Sequence, residues 1–100
     1  MVAGIVGEID ASNTSWIGAR LRALVTNQSE ALVADLSETT YLDSAGIALL
    51  FDLGAELRRH LLELHVVVRA GSPIARMVAL TGLDRVVPVH TTVEDALAAV

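Results

Sequence analysis

Residues 31–47 read ALVADLSETTYLDSAGI, and this stretch decides how the chain folds. It begins with the apolar run Ala31–Leu36, which is typical of a buried strand. A polar segment follows, and DSAG at positions 43–46 then starts a helix that we predict to run from about Ala45 to Leu61. Aspartate and serine favour the position before a helix, where a side-chain oxygen accepts an unpaired backbone N–H. The stretch therefore predicts a strand, a turn and a helix with a hydroxyl at its N-terminus.

The position of Ser44 leaves three roles open for its hydroxyl. Unpaired N–H groups and the positive end of the helix dipole lie just beyond it. The serine can cap the helix, act as a nucleophile, or accept a phosphate group that those N–H groups would stabilise. Asp43 is an alternative cap for the same helix. Spacing alone favours the role of helix cap for Ser44, and the rest of the sequence is needed to choose among the three roles.

Composition describes one globular domain that spans residues 1–100. The chain is 53% hydrophobic and only 19% charged, and it has no cysteine. Disulfides, thiolate metal sites and cysteine nucleophiles are therefore excluded, which fits the reducing cytoplasm where we expect the protein to act. All seven cations are arginines, so the chain has no Schiff-base or phosphate-loop lysine. A net charge of −5 argues against nucleic acid as a direct partner, and no apolar run approaches the ~20 residues of a membrane span.

Apolar runs alternate with amphipathic segments along the whole chain. We predict strands at Ala3–Val6, Ala31–Leu36, Leu64–Arg69 and Val86–Val89, and further helices from Thr14 to about Thr26, from Ser72-Pro73 to about Thr81, and after Thr91 or Thr92. The Gly7–Asp10 segment is predicted as a turn and Ser37–Thr40 as a polar connection. Strands that alternate with helices predict an α/β sandwich with a mixed, largely parallel sheet of about four strands and about four helices.

No set of residues predicts catalysis by the chain itself. A hydrolase of the Ser-His-Asp type needs a base near its serine, yet His60 lies at the far end of the second helix, and His65 and His90 are scattered along the sequence. Their spacings match no metal motif. Leu42 stands where a Gly-x-Ser-x-Gly elbow has its first glycine. We therefore expect a protein that is not an enzyme and that needs no cofactor or metal.

Four segments, in order, carry a family resemblance. They are GEID at 7–10, DLS at 35–37, LDSAGI at 42–47 and LTGLD at 80–84. With these segments the chain resembles a STAS domain of the anti-sigma factor antagonist family, from about residue 5 to residue 100. Each segment alone is a weak signal, and the four in register make a specific one.

The resemblance implies a switch between protein partners. In this family the unphosphorylated antagonist binds an anti-sigma factor, which is also a serine kinase, and so frees a sigma factor. Phosphorylation of one serine breaks the complex, and a serine phosphatase resets it. Ser44 occupies the phosphoacceptor position, Asp43 precedes it as in the motif, Gly46 follows it, and Asp10 matches an aspartate whose loop is expected beside the serine. ATP and magnesium would belong to the kinase.

Three large apolar residues are candidate contacts for a partner. Trp16 lies off the centre of the buried stripe of the first helix, and tryptophan is enriched in interface anchors. Alternatively, its ring covers the sheet edge or the N-terminal segment. Leu49 and Phe51 flank the buried face of the second helix, where they contact a partner or belong partly to the core.

Two further expectations concern the family variant and the chain's edge. STAS domains also occur as small subunits of lipid-transport ABC complexes, where they regulate the ATPase, and this alternative function needs the same fold. The family usually has a further strand before the GEID segment, whereas only six residues precede Gly7. We therefore expect either a longer N-terminus or a sheet that lacks one edge strand. An unpaired edge can pair with a second copy, which makes a homodimer an open expectation.

Overall fold

The main sheet is built around the apolar run predicted as its central strand, β3 (Ala31–Asp35). A computed structural model describes residues 1–100 of the chain. Strand β3 pairs in parallel with β1 (Val2–Gly4) and β5 (Glu63–Val67), and β6 (Val89–His90) completes the order β1-β3-β5-β6. Because both faces of the sheet are covered, the first four residues of β3 are all buried. The predicted α/β fold with a parallel sheet of four strands is confirmed.

A second, two-stranded ladder was not predicted from the sequence. Strand β2 (Gly7–Ile9) pairs in parallel with β4 (Thr39–Leu42), so the turn and the polar connection predicted for these segments are wrong. Thr39 is buried despite its polarity, and its hydroxyl donates a hydrogen bond of 2.7 Å to the carbonyl oxygen of Ile5. The two strands of this ladder are distant in sequence, so the polarity of each segment alone does not predict that they pair.

Four helices flank the strands, as predicted. They are α1 (Thr14–Ala23), α2 (Ser44–Arg59), α3 (Pro73–Thr81) and α4 (Val93–Ala99). The first three pack on one face of the main sheet and form a single core of 19 buried residues with it. On the opposite face α4 packs through Ala96 against Val33 and Val67. None of the helices has the length and apolar composition that crossing a membrane requires.

Capping side chains explain why the predicted starts of α3 and α4 are correct. The Ser72 hydroxyl accepts a hydrogen bond from the N–H of Ala75, and the Thr92 hydroxyl accepts one from the N–H of Asp95, each at 3.1 Å. The end of α2 was predicted two residues too late. Leu61 has a φ of 61° and is 93% exposed, so it lies beyond the helix in the left-handed conformation that follows many helix C-termini.

The sheet also brings together two histidines that the sequence separates by 25 positions. His65 on β5 and His90 on β6 lie side by side, with 2.9 Å between His65 Nδ1 and His90 Nε2. Treating these residues as scattered was wrong, because the parallel register places His90 opposite Val67, next to His65 on the same face. This pair lies on the face that α4 covers.

Candidate functional site

The candidate site is the turn between β4 and α2, and Ser44 is the first residue of the helix. Asp43 occupies the cap position with extended backbone dihedrals, and its Oδ1 accepts a hydrogen bond of 3.0 Å from the N–H of Gly46. Of the two caps considered from the sequence, Asp43 is therefore the one that the helix uses, and a capping role for Ser44 is wrong. The hydroxyl of Ser44 is therefore not needed to cap the helix.

The first turn of α2 presents both a hydroxyl and unpaired donors to solvent. Ser44 is exposed. The carbonyl oxygen of Asp43 accepts from the N–H of Ile47, and its carboxylate accepts from the N–H of Gly46. The N–H groups of Ser44 and Ala45 remain at the open end of the helix, where the dipole is positive. The first turn contains no acidic side chain that would compete for them. This geometry can stabilise an anionic group on the Ser44 oxygen.

The loop after β2 lies directly against Asp43. The N–H of Asp43 donates to the carbonyl oxygen of Ile9 at 3.2 Å, and Asp43 Oδ2 accepts from the N–H of Ala11 at 3.3 Å. Asp10 lies between these two contacts in the sequence. The structure therefore brings the Asp10 loop beside the Ser44 turn, as expected.

Asp10 is held as a carboxylate by its own loop. Its Oδ1 accepts hydrogen bonds from the hydroxyl of Ser12 at 2.5 Å and from the N–H of Ser12 at 2.9 Å. These bonds, with a smaller contribution from the N–H of Asn13, hold the pKa of Asp10 below its ordinary value. Asn13 also closes the loop, because its side chain accepts from the N–H of Asp10 and donates to the carbonyl oxygen of Glu8. The Asp43 carboxylate therefore precedes the exposed serine directly, and the loop that carries the Asp10 carboxylate lies against Asp43.

Gly46 allows α2 to approach β2 closely. A Cβ atom at this position would lie 2.4 Å from Cδ1 of Leu42, 3.0 Å from Cγ2 of Ile9 and 3.2 Å from the carbonyl oxygen of Ile9. The last atom belongs to the backbone and cannot move aside as a side chain can. Gly46 therefore sets the distance between the start of the helix and the strand that leads to Asp10, and in this way it positions the site.

An open groove of about 310 Å³ extends from the site between α1 and α2. Its lining includes the small residues Ala45 and Ala48, the hydroxyls of Thr14 and Ser15, and the charged side chains of Arg22 and Asp52. Leu49, a candidate partner contact from the sequence, also lines this groove, whereas the other lining residues were not predicted as part of the site. The one local signal is the pair of alanines at i and i+3 on α2, which marks a flat helix surface next to Ser44.

Trp16 lies on the other flank of α1. The residue is 65% exposed, and Cζ of Arg20 lies 5.3 Å from the centroid of its ring. The tryptophan lines a separate groove of about 500 Å³ between α1 and the N-terminal segment, together with Ile5 and Val6. It is therefore an exposed aromatic beside that segment, and it does not line the groove at Ser44.

Leu49 and Phe51 of α2 both belong at least partly to the core, which is one of the two roles considered for them, and contact with a partner stays a prediction. Leu49 is only 8% exposed because it packs towards Gly18 in the contact between α1 and α2, so it offers little surface to a partner. Phe51 is half-buried against the core and borders Val86 and Val87, away from the first turn of the helix. The surface next to Ser44 is formed mainly by smaller and more polar side chains.

No imidazole lies at the Ser44 turn. His60 caps the other end of α2, about 24 Å away along the helix axis, and His65 and His90 lie on the opposite face of the sheet. Both carboxylate oxygens of Asp43 already accept backbone hydrogen bonds. What the arrangement offers chemically is an accessible hydroxyl at a helix N-terminus, next to the Asp43 carboxylate.

Comparison with known proteins finds relatives that match almost the whole chain. The anti-sigma-F factor antagonist RsfB of Mycobacterium tuberculosis is 32% identical over 99 residues, which cover 99% of this chain and 80% of the relative. The anti-sigma-F factor antagonist RsfA of the same organism is 33% identical over 95 residues, which cover 93% of this chain and 73% of the relative.

Solved structures agree with these relatives. The crystal structure of an anti-sigma factor antagonist from Mycobacterium paratuberculosis superposes with a TM-score of 0.86 at 34% identity, over 99% of this chain and 83% of that one. The anti-sigma factor antagonist SpoIIAA in its unphosphorylated form has the same fold, with a TM-score of 0.75 at 20% identity over 96% of this chain and 83% of that one. The STAS domain model matches residues 1–96, and the chain belongs to the STAS domain family.

Proposed function

We propose that the protein is an anti-sigma factor antagonist that works as a phosphorylation-controlled switch, with Ser44 as the phosphoacceptor. The observation that carries this proposal is the exposed hydroxyl of Ser44 at the first position of α2, where Asp43 makes the cap. The names of the relatives RsfA and RsfB support the role as an antagonist. The unmodified form would bind an anti-sigma factor that is also a serine kinase, and it would thereby release a sigma factor.

The free end of α2 can accommodate a phosphate without refolding. A phosphoserine carries about −1.5 to −2 charges and three strong acceptor oxygens. At Ser44 those oxygens would meet the N–H groups of the first helical turn, which the helix leaves unpaired, and the positive end of the dipole. The fold would therefore tolerate the modification, and its effect would fall on whatever binds this surface.

Transfer of the phosphoryl group needs a base that the kinase supplies. The Ser44 oxygen attacks the γ-phosphorus of ATP, ADP leaves, and the hydroxyl proton passes to a base. Asp43 is the nearest carboxylate in sequence, but its oxygens already accept from the N–H groups of Gly46 and Ala11. We therefore assign the base, ATP and magnesium to the partner, and the return of the free hydroxyl to a serine phosphatase.

Phosphorylation would break the complex through charge and desolvation. The phosphate would stand next to Asp43 and close to the Asp10 loop, which concentrates negative charge at one end of the groove between α1 and α2. A partner packed there would have to desolvate that charge or face it with its own acidic groups. A loss of a few kcal/mol is sufficient, because each ~1.4 kcal/mol changes affinity tenfold. We expect this exchange to occur in the cytoplasm, where transcription takes place.

A release assay with purified proteins tests the proposed function. The anti-sigma factor kinases of the host are each saturated with their sigma factor, and the unmodified protein is added without ATP. We expect one sigma factor to be displaced, as seen by size-exclusion chromatography, and no displacement after the protein has been phosphorylated. Failure of the unmodified protein to displace any host sigma factor would contradict the antagonist role.

A further inference from the structure

The pair formed by His65 and His90 lies on the sheet face opposite the Ser44 site. His65 is 1% exposed, and His90 is half-buried beside it. The two rings lie at an angle of only 15° to each other, with His65 Nδ1 and His90 Nε2 at hydrogen-bond distance. His65 Nε2 lies 3.3 Å from Oε1 of Glu63. The proposed function makes no use of this group.

The hydrogen-bond partners fix the protons of the neutral pair. The Glu63 carboxylate can only accept, so His65 Nε2 carries the proton that points to it. Nδ1 of the same neutral ring is then an acceptor, and His90 Nε2 must donate to it. One extra proton is tolerated, because His65 as an imidazolium donates to Glu63 and to His90. A second extra proton is not, since both ring nitrogens of the contact would then carry hydrogen.

Helix α4 packs on the sheet face that carries this pair, against β3, β5 and β6. It has seven residues and buries only Ala96 completely, against Val33 and Val67, with Val93 partly buried beside them. Its first residues follow His90 after the two threonines that precede the helix. A helix this short depends on its tertiary contacts. Because α4 has few buried contacts, we expect it to detach from the sheet more easily than the other helices.

We propose that the His65–His90 pair is a pH-dependent switch that holds α4 on the sheet while the pair carries at most one extra proton and releases it in acid. With α4 detached, the rings can move apart, and each can then take up a proton of its own. The open state can therefore bind one proton more than the closed state. Stability of the closed state falls as the pH drops, by up to tenfold in the opening constant per pH unit.

The charged groups around the pair are few. On β5 the carboxylate that contacts the pair is that of Glu63, and on β6 the only titratable residue is His90 itself. On β3 the residue in register with His65 is Val33, and Asp35 lies two positions further, hydrogen-bonded by Ser37. From α4 the packed residues are apolar, and Glu94 and Asp95 are exposed. Glu63 stabilises the first extra proton, and no second carboxylate is in contact to stabilise another.

Hydrogen exchange of the whole protein tests this switch. The opening constant of the α4 amides, with that of Ala96 as the reporter, is measured between pH 7.5 and pH 5.0 and corrected for intrinsic exchange. We expect it to rise about tenfold or more, while the amides in the middle of α2 change much less. In His90→Gln the rise should fall to within about twofold, because the closed and open states can then take up the same number of protons. His60→Gln, which removes the exposed histidine, should behave like the unmodified protein.

An equal rise in His90→Gln and the unmodified protein would overturn the switch. If that variant does not fold, ring-proton NMR of the unmodified protein decides. The two buried-pair histidines should share a single protonation while the α4 amides stay protected. Full protonation of both rings with α4 still protected would overturn the proposal, which is independent of the proposed role of Ser44.

Discussion

Replacing Gly46 with alanine is expected to destabilise the protein by about 2 kcal/mol, although alanine is the better helix former. Within a helix, alanine is favoured over glycine by about 1 kcal/mol. The added Cβ would, however, lie 2.4 Å from a methyl group of Leu42 and 3.2 Å from the backbone oxygen of Ile9. Relief requires a shift of α2 away from β2, and such overpacking costs typically 1–3 kcal/mol or more. The steric cost exceeds the gain in propensity.

Thermal and denaturant unfolding measure this effect. For a chain of this size, about 2 kcal/mol corresponds to a fall in Tm of about 10 °C. Ala55→Gly, at an exposed position of the same helix, is the matched control, and it should cost about 1 kcal/mol by propensity alone. A Gly46→Ala variant as stable as the unmodified protein would show that the close approach of α2 to β2 is not required.

The fold was predictable wherever a local signal specifies an element. Ser72 and Thr92 indicate the starts of α3 and α4 because their side chains cap these helices, and the apolar run Ala31–Leu36 indicates the central strand. The β2–β4 ladder lacked such a signal, because the hydrogen-bond partner that satisfies the buried hydroxyl of Thr39 is 34 positions away in the sequence. Leu61 was assigned to α2 because it is apolar, yet the helix ends before it.

The site was predictable in its centre and less so in its surroundings. The motif at 43–46 located the turn, and the Asp10 loop lies beside it as expected. Asp43 is the cap and Ser44 is free because the helix begins at Ser44 and not one residue later. Sequence spacing does not fix a helix start to within one residue. The groove between α1 and α2 and the contact between His65 and His90 arise only when the elements pack together.

Replacing Ser44 with glutamate is expected to weaken binding to the anti-sigma factor by about 100-fold, or ~2.7 kcal/mol, without loss of stability. The carboxylate adds a negative charge beside Asp43 at the end of the groove between α1 and α2. An acidic residue in the first turn of a helix is stabilising by about 0.3–1 kcal/mol. Weaker binding would therefore reflect the interface and not unfolding.

Titration calorimetry with the anti-sigma factor measures this change, and thermal unfolding checks the fold. Ala98→Glu adds the same charge at an exposed position of α4, on the opposite face of the sheet, and should bind within about twofold of the unmodified protein. Equal weakening by both variants would mean that net charge, and not the Ser44 turn, governs the complex.

The most direct test of the account is to find where a phosphate is added. The protein and its Ser44→Ala variant are incubated with ATP and an extract of the host, and intact mass and phosphopeptides are analysed. We predict one phosphate, on Ser44, which is absent from the variant. A protein that stays unmodified while the host kinase phosphorylates a known substrate, or one that carries its phosphate on another residue, would contradict the account.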